Sequence, residues 1–320
     1  MLFEMESFMS ANYEKAYKVM NEVCKVVIGK NRVIKQIMAS IIAGGHVLLE
    51  DMPGVGKTTM AMAFSRAMEC TQRRMQFTPD VMPSDVVGFN ILNNEKEFEY
   101  KPGAIFCNLF LADEINRTSP KTQSALLEVM EEGRVTVDGV TRPLPEPFFV
   151  LATQNPSGSA GTQLLPESQL DRFMIKVSMG YPDLDSEFTM LKSKVNKVTV
   201  DTIGKIISKE ELVEIKKEVE DVFVADEILK YIASICAATR KHPHIRLGVS
   251  PRGSIALLNM SKAMAFLNGR NYVIPEDVME VATSVMGHRI IPNTKARVNN
   301  VTVYAIIDEI FKSVQSPRIK

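Results

Sequence analysis

The sequence predicts an α/β fold, a parallel sheet sandwiched by helices, followed by a smaller all-helical domain. Up to about residue 200, short apolar runs alternate with segments of helical periodicity, as in a parallel sheet covered on both faces. Beyond that point only helical periodicity remains. We therefore expect a core at residues 1–195, a linker at 196–207 and a helical domain at 208–320.

The elements of the core follow from apolar runs and from residues that begin or end helices. Pro120 lies in the first turn of one helical segment, and Gly133 lies just past its end. Each apolar run is short and bounded by turn residues, which is typical of a buried strand. The predicted strands are 46–50, 108–112 and 148–153. The predicted helices between them are 57–69 and 120–132.

The helical domain begins with a recognisable cap. Ser208 and Glu211 have the spacing of a capping box, in which each side chain bonds the backbone of the other. Four further amphipathic stretches follow, at 226–240, 251–267, 275–286 and 298–314.

The composition excludes several classes of protein. Apolar residues make up 45% of the chain and charged residues 24%, as in an ordinary folded protein. Lys and Arg number 38, as do Asp and Glu, which argues against a basic nucleic-acid coat. The four cysteines form no CxxC pair, which argues against a disulfide framework or a zinc site. With no apolar run long enough for a bilayer and no signal-peptide pattern, we expect a cytoplasmic protein without a membrane segment.

A glycine-rich loop, DMPGVGKTT at 51–59, lies between a predicted strand and a predicted helix. Such a loop wraps backbone N–H groups around a β-phosphate, with Lys57 on the β- and γ-phosphates and the Thr58 hydroxyl on Mg²⁺. Asp51 replaces the usual first glycine, and Asp tolerates turn geometry. The strand–loop–helix context argues against a chance turn. The residues predicted to bind the nucleotide here are Pro53, Gly54, Val55, Gly56, Lys57, Thr58 and Thr59.

Polar residues end the next two predicted strands. Asp113 could hold Mg²⁺, and Glu114 could polarise a water for attack on the γ-phosphate as a general base. The alternative is that the two residues are merely solvated acids. Their position on a separate strand after the loop disfavours this alternative. Asn155 could hold the attacking water or sense the γ-phosphate. Alternatively it only ends its strand in an Asn-Pro turn.

These three elements, in this order, resemble the AAA+ ATPases, and the text between them is similar to the MoxR family. The resemblance covers roughly residues 25–310. The strings that carry it are QFTPDVMPSDVVG (76–88), DEINRT (113–118), KTQSALLEVMEE (121–132), ATQNP (152–156) and LPESQLDRF (165–173).

The resemblance implies a P-loop ATPase core followed by a helical lid, and it implies roles for particular residues. Lys57 and Thr58 match Walker A, Asp113 and Glu114 match Walker B, and Asn155 matches sensor 1. The segment that packs on adenine in such proteins matches Val27, Ile28 and Gly29.

The resemblance also implies roles for two arginines. Arg172 matches the arginine finger, which reaches the nucleotide of the neighbouring subunit. The alternative is a surface ion pair with Asp171, worth little. Arg252 matches sensor 2 on the lid, acting in its own subunit or across the interface. It follows Pro251 at a helix start, where the dipole disfavours a cation and a nearby phosphate would offset that cost.

The resemblance further implies a Mg²⁺-dependent ATPase that converts ATP and water to ADP and phosphate. The family default is a hexameric ring that remodels, matures or activates a client protein, with cofactor or metal insertion as one such role. A protein with a von Willebrand A domain is the expected partner. Two hairpin-like insertions, at 88–106 and 134–142, would line a ring pore or face the substrate; solvated surface hairpins are the alternative.

The sequence disfavours three other functions. A DNA-directed motor is disfavoured by the zero net charge and by the lack of a zinc or helix-turn-helix signature. A non-catalytic nucleotide-dependent scaffold would have no need of Glu114. A GTPase is disfavoured because the sequence has no NKxD guanine signature. Away from the motifs, His46 begins a predicted buried strand, and we expect it to be a hydrogen-bonded core residue.

Overall fold

A computed structural model describes residues 10–52, 54–155, 165–195 and 199–317. The strands are β1 Val47–Glu50, β2 Gln72–Gln76, β3 Gly88–Leu92, β4 Phe98–Pro102, β5 Leu109–Asp113, β6 Arg134–Val137, β7 Val140–Pro143, β8 Phe149–Gln154, β9 Ile175–Val177, β10 Ile245–Leu247 and β11 Ile291–Pro292. The helices are α1 Ala11–Cys24, α2 Asn31–Ile42, α3 Lys57–Ala67, α4 Pro83–Val87, α5 Pro120–Glu132, α6 Glu167–Leu170, α7 Leu184–Val195, α8 Lys209–Glu220, α9 Asp226–Lys241, α10 Pro251–Leu267, α11 Pro275–Met286, α12 Thr294–Val298 and α13 Val303–Ser313.

The core is a five-stranded parallel sheet in the order β2-β5-β8-β1-β9. Along β1, Val47 and Leu49 pack into one apolar cluster and Leu48 into another. The sheet is therefore buried on both faces, which is why its central strands appear in the sequence as continuous apolar runs.

All five strands point the same way, so the sheet has two chemically different edges. Glu50 lies opposite Gln154, and Ala112 lies opposite Ala152, which brings the ends of β1, β5 and β8 together. The residues that follow these strands share that carboxyl edge, where ligands of open α/β sheets usually bind. His46 and the start of β1 lie at the opposite, amino edge.

The helices after residue 208 pack against the two N-terminal helices. Asn12 Nδ2 donates to Glu218 (2.7 Å), Lys15 pairs with Glu211 (2.8 Å), and α10 packs against α2 and α11. The capping box at Ser208 is present. One short antiparallel pair, β10 with β11, interrupts the otherwise helical region. Its strands of three and two residues are too short for a periodic signal.

Both hairpins are confirmed: β3 pairs with β4, and β6 pairs with β7 through a turn at Asp138 and Gly139. The two turn residues have φ of 50° and 78°, as a type I′ turn requires. Asn90 Nδ2 donates to Asp138 (2.6 Å), so the hairpins touch each other.

The last predicted amphipathic stretch is helical only in part. Segment 298–314 is not one helix, because α12 ends at Val298 and α13 begins at Val303. Asn300 has φ of 54°, a left-handed conformation that no helix can continue. Helix α1, at Ala11–Cys24, precedes segment 27–29 and was not among the predicted elements. Among the described residues, no helix combines the length and the apolar character needed to cross a bilayer.

Candidate functional site

The glycine-rich loop joins β1 to α3 through two glycines in left-handed backbone. Gly54 has φ of 86° and Gly56 has φ of 94°, values that a side chain would oppose. Lys57 begins α3, is 8% exposed, and donates from Nζ to the carbonyl oxygen of Asp51 (2.9 Å). Burial lowers the pKa of Lys57, and the nearby carboxylates of Asp51, Asp113 and Glu114 oppose that shift. Of the predicted loop residues, Pro53 lies outside the described residues.

The carboxylate of Asp51 faces away from the loop toward the segment after β9. It accepts hydrogen bonds from Ser178 Oγ (2.7 Å), Met179 N (2.6 Å) and Gly180 N (3.0 Å). The first position of the loop therefore does more than tolerate a turn.

Thr153 holds both acids that end β5. Its hydroxyl donates to Asp113 Oδ1 (2.6 Å) and accepts from the backbone N–H of Glu114 (2.9 Å). Asp113 also accepts from Arg74 on the neighbouring strand β2, at 2.7 and 3.3 Å. One hydroxyl on β8 thus fixes the end of β5.

Glu114 and Asn155 are in direct contact. Asn155 Nδ2 donates to Glu114 Oε1 (3.1 Å), and Arg117 donates to Oε2 (2.7 Å). Glu114 has φ of 57° and ψ of 48°, a left-handed conformation that is uncommon for glutamate and often stored at functional sites. The buried Oδ1 of Asn155 has no partner among the described residues, and therefore remains available to a bound molecule.

A cavity of about 580 Å³ opens beside the glycine-rich loop. The predicted residues Val27, Ile28, Gly54, Val55, Gly56 and Thr59 line it, together with Met179, Tyr181 and part of α7. Gly29 lies against α7, because a Cβ at Gly29 would meet Ser186 Oγ at 2.1 Å. The structure thus brings the loop and segment 27–29 to one cavity.

The two predicted arginines lie elsewhere. Arg172 and Arg252 both pair with Glu131 on α5, Arg172 at 3.3 Å. The pocket that they line also contains Gly45 and His46, at the amino edge of the sheet. The structure therefore does not bring them to Lys57 or Glu114, which lie at the carboxyl edge.

The alternative of an Arg172–Asp171 ion pair is wrong, because Asp171 has other partners. It accepts from Arg289 Nε (2.7 Å) and from Ser250 Oγ (2.8 Å), both in the helical region. Arg289, 6% exposed, also donates to the carbonyl oxygens of Phe173 (2.7 Å) and Met174 (3.1 Å). The segment that carries Arg172 is therefore held by the lid.

The oxygen donors at the carboxyl edge suit a magnesium ion. The Asp113 carboxylate and the Thr58 hydroxyl are hard ligands of the kind that Mg²⁺ takes beside phosphate oxygens. In the described part of the chain, no three His, Cys, Asp or Glu residues cluster as a metal site. The described residues therefore do not form a metal site made of protein ligands alone.

Several contact residues were missed by sequence reasoning: Arg74, Arg117, Glu131, Thr153 and Arg289. Thr153 directly precedes the Gln-Asn end of β8, and Arg117 lies one turn after Glu114, so both had a local signal. Glu131 and Arg289 reach their partners across 121 and 118 residues, and no local pattern indicates such contacts.

Comparison with known families gives two matches. Residues 46–175 match the ATPase family associated with various cellular activities (AAA), and residues 237–310 match the AAA lid domain. An α/β ATPase core followed by a helical lid is thereby confirmed.

Individual relatives match nearly the whole chain. The chain is 48% identical to the uncharacterized protein YeaC of Bacillus subtilis, covering 94% of each sequence. It is 35% identical to the chaperone MoxR1 of Mycobacterium tuberculosis, covering 93% of this chain and 81% of the relative. The crystal structure of a candidate ATPase from Cytophaga hutchinsonii superposes with a TM-score of 0.89 at 41% identity, covering 96% of each chain.

Proposed function

The chain belongs to the MoxR family of chaperone-like AAA+ ATPases, and we propose that it is a Mg²⁺-dependent enzyme whose nucleotide is shared by two copies. One observation carries the proposal. The five groups suited to hold and hydrolyse ATP lie at the carboxyl edge of the sheet, whereas Arg172 and Arg252 lie at the amino edge. A single copy therefore has both halves of a site, facing in different directions.

At the carboxyl edge, Lys57 places a positive charge against the β- and γ-phosphates. Thr58 and Asp113 would hold Mg²⁺, which supplies neutralisation of the phosphate charge. Glu114 accepts a proton from the attacking water. Asn155 Oδ1, which has no partner among the described residues, accepts a hydrogen bond from the same water. The Asn155–Glu114 contact of 3.1 Å keeps these two groups together.

At the amino edge, Arg172 and Arg252 act on the nucleotide of the next copy. A planar, permanently charged guanidinium suits the charge that spreads over a transferring phosphoryl group. The shared partner Glu131 places both arginines side by side, so that we assign sensor 2, like the arginine finger, to the neighbour's site. A head-to-tail contact forms a closed ring when its rotation closes, and we propose such a ring, for which six copies is the family default.

The work of the ring is remodelling of a client protein. With a core to residue 195 and a lid from 208, hydrolysis would change the angle between the two and move the partner. The joined hairpins β3–β4 and β6–β7 are the surface we assign to the client, and a protein with a von Willebrand A domain is the proposed partner. Cofactor or metal insertion is one such activity. Nucleic acid is not proposed, because the net charge is zero.

The test is ATP turnover by the wild-type protein and by Glu114→Gln, with native mass measured beside it. Glutamine keeps the shape of the side chain and cannot take the proton. We expect Glu114→Gln to bind ATP, assemble like the wild type and lose turnover at least about 100-fold. A wild-type oligomer without turnover would instead support a nucleotide-dependent scaffold.

A further inference from the structure

The first residue of the glycine-rich loop carries a buried carboxylate that the hydrolytic mechanism does not use. Asp51 is 5% exposed, and its two oxygens accept the three hydrogen bonds from Ser178, Met179 and Gly180. Hydrogen bonds to an ionised group are stronger than neutral ones, and leaving such groups buried without partners is costly. Asp51 therefore fixes segment 178–180 to the loop.

The sheet does not hold this segment. The pairing of β1 with β9 ends at Leu49 and Val177. Beyond it, the backbone N–H groups of Met179 and Gly180 donate to the Asp51 side chain instead of to a strand. Gly180 then turns the chain away with φ of 59°. The Asp51 carboxylate therefore accepts the backbone hydrogen bonds of this segment where the strand pairing ends.

The segment so fixed is a wall of the 580 Å³ cavity. Met179 and Tyr181 line the cavity together with Val27 and Ile28. A Cβ added at Gly56 would lie 3.8 Å from Met179 Cε, so the wall lies beside the glycine-rich loop. Through its carbonyl oxygen Asp51 also accepts from Lys57 Nζ (2.9 Å). One residue thus contacts both the phosphate-binding lysine and the cavity wall.

We propose that Asp51 is a positioning residue for nucleotide binding. Its carboxylate sets the separation between the glycine-rich loop and the wall formed by Met179 and Tyr181, and thereby the affinity for the base and ribose of ATP. Glycine, the usual residue, has no side chain to make this contact. Asparagine would turn an N–H₂ group toward at least one of the three donors. The inference rests on the proposed nucleotide site and concerns its specificity.

The test is calorimetric titration of the full chain with ATP, ADP and inorganic tripolyphosphate, which lacks a base and ribose. We expect Asp51→Asn and Asp51→Gly to weaken ATP and ADP about tenfold, corresponding to about 1.4 kcal/mol, and to leave tripolyphosphate within about twofold. Asp226→Asn removes the same charge from an exposed position and should bind all three ligands like the wild type.

Ser178→Ala keeps the experiment decisive should the Asp51 variants fail to fold, since it removes one bond of the three. It should weaken ATP about threefold and leave tripolyphosphate unchanged. An equal loss for ATP and tripolyphosphate, or no loss for either, would overturn the positioning role. A wild-type protein that binds none of the three ligands would overturn the nucleotide site itself, a result distinct from the other two.

Discussion

Glu114, the proposed general base, illustrates how the fold fixes a single side chain in place. Its backbone is left-handed, its N–H is bonded by Thr153, and its carboxylate is bonded by Asn155 and Arg117. Each contact fixes a different atom, so that the carboxylate has little freedom to turn. Preorganisation of this kind is what a general base needs, because its position then requires no rearrangement at the moment of reaction.

His46, in the core, is likewise held by hydrogen bonds at more than one atom. Its Nδ1 accepts from the backbone N–H of Val150 (3.0 Å), and Nε2 lies 2.8 Å from the carbonyl oxygen of Met130, to which it donates. The ring is therefore neutral and fully bonded, as the sequence predicted for a core histidine. Burial lowers the pKa of His46 to about 4.

The stability of the protein should depend on pH through this histidine. Between the unfolded pKa near 6.5 and the folded pKa of about 4, the unfolded chain binds a proton that the native protein does not. The free energy of unfolding should therefore fall as pH falls through this window, by about 1.4 kcal/mol per pH unit for one histidine. His288, whose pKa is also lowered by burial, adds to the same trend.

Denaturant unfolding at several pH values between 7 and 4 measures this slope. His46→Gln cannot titrate, so its slope should be smaller than that of the wild type over the same window. Equal slopes would show that His46 is accessible to protons in the native protein.

Among the strands of the parallel sheet, β1, β5 and β8 were predictable from their continuous apolar runs, and β2 was not. β5 and β8 are buried at nearly every position, and burial leaves a direct trace in the sequence. β2, with the sequence QRRMQ, lies at the edge of the sheet and is largely polar, so it gave no signal. α7 has no buried residue among its twelve and was likewise missed.

The residues of the candidate site also fall into those that a local pattern predicts and those that it does not. Lys57, Asp113 and Glu114 were predictable because each belongs to a contiguous motif next to a strand. The partners of Asp51 lie 127 to 129 residues away, and only the sheet order brings them together. Sequence spacing carries no information on such contacts when one sequence is considered alone.

One buried arginine, Arg289, bonds the lid to the core in addition to the helix contacts. Arg289→Met should lower the free energy of unfolding by about 3–5 kcal/mol, because it strips donors from Asp171 and from buried carbonyl groups. Guanidinium chloride unfolding measures the loss. Arg246→Met breaks a pair with Glu167 that is exposed on both sides, and should cost at most about 1 kcal/mol. Similar losses for the two variants would mean that the Arg289 contacts do not hold the lid.

The whole molecule has its complementary halves at opposite edges of one sheet. In the proposed ring, Lys57, Asp113, Glu114 and Asn155 would face one neighbour, and Arg172 with Arg252 would face the other. The lid helices reach the second group directly, since Arg289 and Ser250 bind the residue before Arg172. In the proposed ring, a movement of the lid in one copy would therefore change the position of Arg172 at the nucleotide of the next copy. Such a change would couple the sites of the ring.

Mixing two inactive variants tests the shared site most directly. Arg172→Ala keeps Glu114 but lacks the arginine, and Glu114→Gln keeps the arginine but lacks the base. Each alone should lose turnover, for Arg172→Ala by about 10³-fold or more.

Co-expressed in equal amounts, with mixed oligomers verified by native mass, the two variants should recover about a quarter of the wild-type rate, since a quarter of head-to-tail contacts then join an intact Glu114 to an intact Arg172. Mixed oligomers as inactive as the separate variants would contradict a site completed by the neighbouring copy.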